Sequence, residues 1–188
     1  TGTETQDDIR EVQGILRNEA SGLRQLVDDS RRRALNPERL LEYLSDLLER
    51  FQRDSGLMTH FFADLDHDPM PSRICHEIAR ITEEAIINAK RHSKGSSLIV
   101  RVGCVADNWL LLIIDDGVGF DFQGARSLKE LMSSGQGPRV IKERVRSLGG
   151  SLLIESTSTG ARIEITIPKN DHSRSELFGQ IQKMPVGA

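Results

Sequence analysis

Trp109-Leu110-Leu111-Leu112-Ile113-Ile114 is an apolar run that breaks off at Asp115-Asp116 and turns through Gly117-Val118-Gly119-Phe120. A short apolar run bounded by turn residues reads as a buried strand. Glycines at alternate positions let the chain turn tightly and approach a ligand closely. A carboxylate ending a buried strand needs a donor, and the exocyclic amine of adenine is one. Asp115 is therefore a candidate ligand group, whereas Asp116 reads as an exposed turn residue.

Outward from that strand the chain is β-rich on both sides. Residues 97–105 and 109–116 flank Ala106-Asp107-Asn108, a hairpin signal, and residues 151–156 and 161–167 flank a second, Ser158-Thr159-Gly160. Between the hairpins the spacing predicts a glycine-bounded loop, 117–137, with 121–134 as a lid that is poorly ordered without nucleotide. A helix from 138 to 148 follows and ends at Gly149-Gly150. Further upstream, Asn36-Pro37-Glu38 is a helix start: a cap residue, proline at the first turn, then an acid. Leu40, Leu41, Leu44, Leu47, Leu48 and Phe51 give that helix its buried face, and Gly56 stops it. Residues 57–65 suit a strand, 67–71 a turn-rich linker, and 72–92 an amphipathic helix with Ile74, Ile78, Ile81, Ala85 and Ala89 on one side. A mixed sheet with helices on one face is the economical arrangement.

Residues 7–33 read as one further amphipathic helix, with Ile9, Val12, Leu16, Leu23 and Leu26 near a 3.5-residue spacing and Ile15, Ala20 and Val27 widening the stripe. Glu19 interrupts the seam, and Gly14 and Gly22 each cost about 1 kcal/mol against alanine. Such a helix needs a partner, either its own domain or a dimeric bundle, and the heptad-like spacing favours the bundle.

With 188 residues, 37% hydrophobic and 28% charged, the chain reads as one soluble globular domain, with or without a helical appendage. No stretch approaches the roughly 20 apolar residues of a membrane helix. The first residues, Thr1 to Asp8, lack the pattern of a signal peptide and an initiating Met, so a piece of a longer, cytoplasmic protein is expected. A net charge of −3 and 4% aromatics argue against nucleic acid. Cys75 and Cys104 stand apart from each other and from histidines, as core cysteines of a reducing compartment do.

Two more pieces carry chemistry. Glu84, Asn88 and His92 stand at i, i+4 and i+8, so on an α-helix they share a face, with Arg91 near it. An amide oxygen on that stripe is a hard ligand suited to Mg²⁺, whose other ligands come from phosphate and water; the plain alternative is a solvated helix face. Gly135-Gln136-Gly137-Pro138 opens a helix, and helix N-termini bind phosphate through free N–H groups. There is no Walker loop and no protein-kinase motif set.

In this order the pieces resemble the ATP-binding domain of sensor histidine kinases. Glu84-x-x-x-Asn88-x-x-x-His92 is similar to the N-box, Asp115 to Gly119 to the first glycine box, Gly135-x-Gly137 to the second, and Gly160 to Pro168 to the closing strand. Residues 86–93, 115–120 and 141–150 and the helix from Pro37 resemble the subclass that partners response regulators with LuxR-type output. The resemblance covers about residues 7–168. It implies an α/β (α+β) two-layer sandwich of the Bergerat type, with ATP between the helices and a mobile lid. It implies that Asp115 accepts from the adenine amine, that Asn88 binds Mg²⁺, and that Glu84 holds a metal-bound water or acts as base. Arg91 and His92 would face phosphates or ribose; Gly117, Gly119, Gly135 and Gly137 would shape pocket and lid. It divides the chain into a stem remnant (1–35), an ATP-binding domain (36–168) and a tail (169–188). The partners implied for the full-length protein are a response regulator and a second copy of the chain, and the resemblance allows that protein a membrane anchor. None of His60, His67, His76, His92 and His172 fits the phosphoacceptor of that subclass, which sits on a first stem helix; residues 7–33 resemble the second. Pro138 stands where the subclass usually has leucine, and Ala161 where it has Thr or Ser. The other readings of the same boxes are a protein-serine kinase of the anti-sigma-factor type and a nucleotide-binding dimerisation module without catalysis.

Overall fold

The structure is a computed structural model that describes residues 35–65 and 70–169, the side chains of His92 and Ser93 excepted. The helix expected at 7–33, most of the linker with His67, and the tail with His172 lie outside the described residues.

Helix α1 spans Pro37–Ser55 and begins and ends where its sequence signals stand. The Asn36 carboxamide accepts the Arg39 N–H at 2.9 Å, and Gly56, at φ 76°, closes the last turn by donating its N–H to the Gln52 carbonyl. Leu40, Leu44, Leu48 and Phe51 are its buried face. After strand β1, Met58–Asp64, helix α2 runs from Ser72 to Asn88 and buries Ile78, Ile81 and Ala85. It does not continue as an α-helix to residue 92. Ala89–Ser93 form a π turn, ended by Lys94 in the left-handed region at φ 51°. A π turn bonds i to i+5, so the α-helical alignment of positions 88 and 92 is lost beyond Asn88.

Strands β2 (Ser97–Val105) and β3 (Asn108–Asp115) form the first hairpin. Then come β4 (Gly124–Ser127), α3 (Leu128–Ser134), α4 (Arg139–Ser147), β5 (Ser151–Thr157) and β6 (Gly160–Pro168). The six strands lie in the order β1-β2-β3-β6-β5-β4; β1 runs parallel to β2 and every other neighbour is antiparallel. The apolar run of β3 divides between the faces. Trp109, Leu111 and Ile113 are buried under the helices with Leu98, Val100, Val102, Ile163, Ile165 and Ile167, while Leu110, Leu112 and Ile114 are half-buried on the opposite face. The expected mixed sheet with helices on one face is found.

Between the helices, Arg144 of α4 donates to Glu77 of α2 at 2.8 Å, Arg73 donates to the Ser147 carbonyl, and the Tyr43 hydroxyl of α1 bonds Glu83 of α2. Both cysteines are free; burial pushes the Cys75 thiol up to about 11.

The largest departure from the sequence reading is at 121–134, read as part of a loop, which contains a strand and a helix. The Ser127 hydroxyl and Glu130 carboxylate form a capping box that starts α3, and Ser127 ends β4, which pairs with β5. Leu131 is wholly buried, and Phe122 is buried and stacked on Phe120 with centroids 5.8 Å apart. Two buried side chains, Phe122 and Leu131, with Leu128 packed against them, tie the segment to the core, while Met132 stays exposed.

If α3 is part of that core, Leu131→Ala should cost about 2–5 kcal/mol of global stability, the usual range for a buried leucine. A detached lid would tolerate the change, and urea unfolding of the two proteins separates the cases.

Candidate functional site

A cavity of about 560 Å³ opens between α2, the end of β3, the turn after it, the loop before α4 and β6. Its apolar floor is Ala85, Ala89, Leu98, Ile113 and Ile163. Asn88, Asp115, Gly119, Gly135 and Gly137 line it, so five of the positions singled out in the sequence meet in one place. Pro138 and Ala161 line it too. The two departures from the usual pattern thus fall on the wall itself. Pro138 is the cap residue before α4 rather than its first helical residue.

The remaining candidates stand elsewhere. Glu84 is half-buried on α2, one turn before Asn88, and is not in the wall. Arg91 is exposed on the π turn and also outside the wall. Position 92 belongs to the same turn, with its side chain outside the described residues. Gly117 is buried behind the wall, where its N–H donates to Asp115 Oδ1 at 2.9 Å.

Asp115 and Asp121 are the charged residues of the lining, and Asp115, at the end of β3, is the one singled out by the sequence. Burial pushes its carboxyl above the usual carboxylate range, the Gly117 N–H opposes that rise, and the Asp116 charge adds to it. Its second oxygen accepts from no donor among the described residues. Asn88, on the other side of the cavity, makes no side-chain hydrogen bond among the described residues. A carboxylate oxygen and a carboxamide thus face one apolar-floored cavity with bonding capacity to spare.

The wall is held by residues that the sequence reading passed over. Asp116 is exposed as expected, yet it accepts from Ser96 N at 2.7 Å, Ser96 Oγ at 2.5 Å and Ser97 N at 2.8 Å. Those bonds hold its carboxyl down at about 2 and staple the glycine turn to the segment that follows the π turn. Gly95 makes room for the staple: a Cβ there would stand 2.4 Å from Asp116 Oδ1. Ser156, buried on β5, accepts the Phe120 N–H at 2.8 Å. Gly119, at φ 72°, packs so closely that a Cβ would lie 2.3 Å from the Thr157 carbonyl. The signal for Ser156 was legible, a hydroxyl at a core-facing position after Leu152 and Ile154. The Asp116 staple had none, because its partners, two backbone N–H groups and the Ser96 hydroxyl, are 19 or 20 residues away.

The staple has a pH signature. A carboxyl lowered on folding contributes stability above its unfolded value, about 3.9, and loses it as pH falls towards its folded one. Between about pH 4 and pH 2 the parent should therefore lose more stability than Asp116→Asn. Parallel acid-dependence curves from denaturant melts would refute the staple.

The family described as histidine kinase-, DNA gyrase B- and HSP90-like ATPase matches residues 76–171. Among curated proteins, the signal transduction histidine-protein kinase/phosphatase DegS of Brevibacillus brevis is 26% identical over 86% of this chain and 40% of the relative. The sensor histidine kinase LiaS of Bacillus subtilis is 27% identical over 85% of this chain and 42% of the relative. The chain thus spans about two fifths of the length of these relatives. Among solved structures, the histidine kinase AdeS of Acinetobacter baumannii shares the fold at a TM-score of 0.53 and 22% identity, over 83% of each chain. Among the described residues no helix is long and apolar enough to cross a membrane. The matched segment runs from α2 through β6 and holds the whole cavity, and the chain belongs to the histidine kinase-, DNA gyrase B- and HSP90-like ATPase family.

Proposed function

We propose that this chain is the ATP-binding catalytic part of a sensor histidine kinase, which transfers the γ-phosphoryl of Mg-ATP to a histidine on a helical stem. The observation that supports it best is the meeting of Asp115 and Asn88 across one cavity floored by small and branched apolar side chains. An adenine ring suits that floor, and its exocyclic amine suits the unpartnered oxygen of Asp115.

The donor set fits Mg²⁺ bound together with nucleotide. Asn88 offers a hard carboxamide oxygen with no protein partner, and no cluster of three or more His, Cys, Asp or Glu stands ready to hold a metal among the described residues. When bound, Mg²⁺ would neutralise charge on the phosphates. Glu84, one turn before Asn88, would take the proton of the attacking imidazole. Arg91 and His92, on the π turn beside Asn88, would meet the phosphates or ribose. Gly117 fixes the Asp115 carboxylate through its N–H, and Gly119, Gly135 and Gly137 shape the wall. Phosphoryl transfer of this kind asks a protein mainly for positioning and electrostatics.

Residues 1–35 would be the second stem helix, 36–168 the ATP-binding domain and 169–188 a tail. In the whole protein, dimerisation through the stem would present the acceptor, and a response regulator with LuxR-type output would receive the phosphoryl group. A cytoplasmic site of action goes with that partner.

The deciding experiment incubates the chain with labelled ATP, with and without a stem peptide bearing the acceptor histidine. Acid-labile, base-stable phosphate on the peptide is the expected result. Nucleotide binding without any transfer points instead to a non-catalytic module, and transfer to serine to the anti-sigma-factor type.

Asp115→Asn should weaken adenosine and ATP alike, by about 1.5–3 kcal/mol, since a hydrogen bond to a charged group is lost. Adenosine affinity of the parent should also fall on acidification at a higher pH than an ordinary aspartate would cause, because the raised Asp115 must be ionised to accept. Calorimetry against pH, with Asp115→Asn as the flat control, checks both. Asn88→Ala should leave adenosine binding unchanged and remove most of the Mg²⁺ dependence of ATP binding; an unchanged dependence would take the metal from Asn88.

A further inference from the structure

Lys142 lies in α4 and is buried, with only 4% of its surface exposed. Its Nζ donates to the Gln136 carbonyl at 2.6 Å and to the Leu131 carbonyl at 3.1 Å. It makes no ion pair with a carboxylate among the described residues. Burying an ammonium is costly unless its hydrogen bonds are met, and here they are met by two backbone carbonyls, while the Glu143 carboxylate acts on it only through space. Both acceptors belong to the segment that forms the glycine side of the cavity, and Gln136 and Gly137 are themselves in its wall.

The peptide between Gln136 and Gly137 makes this more than a structural tie. In a trans peptide the C=O and N–H point in opposite directions. With the Gln136 carbonyl drawn to Lys142, the Gly137 N–H is turned away from the ammonium. That N–H has no acceptor among the described residues. Gly137 stands at φ 73°, and a Cβ there would press on Leu131 Cδ2 at 3.2 Å. The peptide is thus held at its oxygen end by Lys142, and Leu131 leaves no room for a side chain at position 137. Pro138, next in line, offers no N–H at all.

We propose that Lys142 is a positioning residue for the phosphate chain of the nucleotide: its buried ammonium orients the Gly137 N–H as an anion donor and leaves the glycine turn at positive potential. The cavity then discriminates ligands by the number of negative charges they carry beyond the adenosine. The inference rests on the ATP reading of the same site.

The test is calorimetry of the parent, Lys142→Met and Lys142→Arg with ATP, ADP and adenosine at fixed Mg²⁺. The methionine variant keeps the length and loses the charge. It should weaken ATP about tenfold, ADP less and adenosine not at all, about what one charge-assisted hydrogen bond contributes; arginine should restore most of the loss. Equal weakening of all three ligands, or none, overturns the proposal, since a merely structural lysine would not sort ligands by charge. Should Lys142→Met lose its cooperative thermal transition, the Gly137 amide resonance of the parent decides. It should move with ATP and ADP and stay with adenosine; movement with all three, or with none, overturns the proposal. A parent that binds neither adenosine nor ATP would sink the ATP reading instead, an outcome distinct from these.

Discussion

The central strand β3 is hydrogen-bonded on both sides, by β2 across the hairpin and by β6 across the sheet, and the site depends on that double pairing. A carboxylate costs free energy to hold half out of water, and it stays at a fixed point only if its backbone has nowhere to relax. Asp115 is the last residue of β3, registered against Leu98 on one side and Ala161 on the other. The helices serve the same end. α2 lies over β3 and brings Asn88 to the cavity, while α4 carries Lys142 beneath the loop that closes it.

Two adjacent aspartates show how far environment governs a side chain. Asp115, partly withdrawn from solvent with one backbone donor, has its carboxyl raised; Asp116, in water with three donors, has its carboxyl lowered. One is left with capacity for a ligand, and the other is spent on the fold. Asp115 closes β3, whereas Asp116 stands in the turn beyond it and meets Ser96 and Ser97.

Much of this was legible in the sequence because the signals were local. Asn36, Pro37 and Gly56 bound α1 by the chemistry of caps, and the spacing of Ile78, Ile81, Ala85 and Ala89 set the buried face of α2. Asp115, Asn88, Gly119, Gly135 and Gly137 were readable for the same reason, each sitting at the end of a recognisable element. What escaped was non-local or broke a period. The π turn begins at Ala89 with no proline or glycine to announce it, so position 92 was placed on the stripe of Glu84 and Asn88, which the backbone does not maintain beyond Asn88. β4 is four residues long and gains its place only by pairing with β5. Lys142 was not singled out in the sequence, and it is buried beside Ile141 on α4.

The single tryptophan sits at the far end of the strand that carries Asp115. Trp109 is 2% exposed, with the Lys169 ammonium 4.7 Å from its ring centre. Its emission therefore reports the packing between sheet and helices and the seating of residue 169 after β6. Five residues of strand separate it from Asp115, and the rings that line or adjoin the cavity are the weakly emitting Phe120 and Phe122. The molecule carries an optical probe of its core and none of its pocket, so unfolding can be followed by its own light, whereas ligand occupancy needs a fluorescent nucleotide or a reporter placed at the glycine turn.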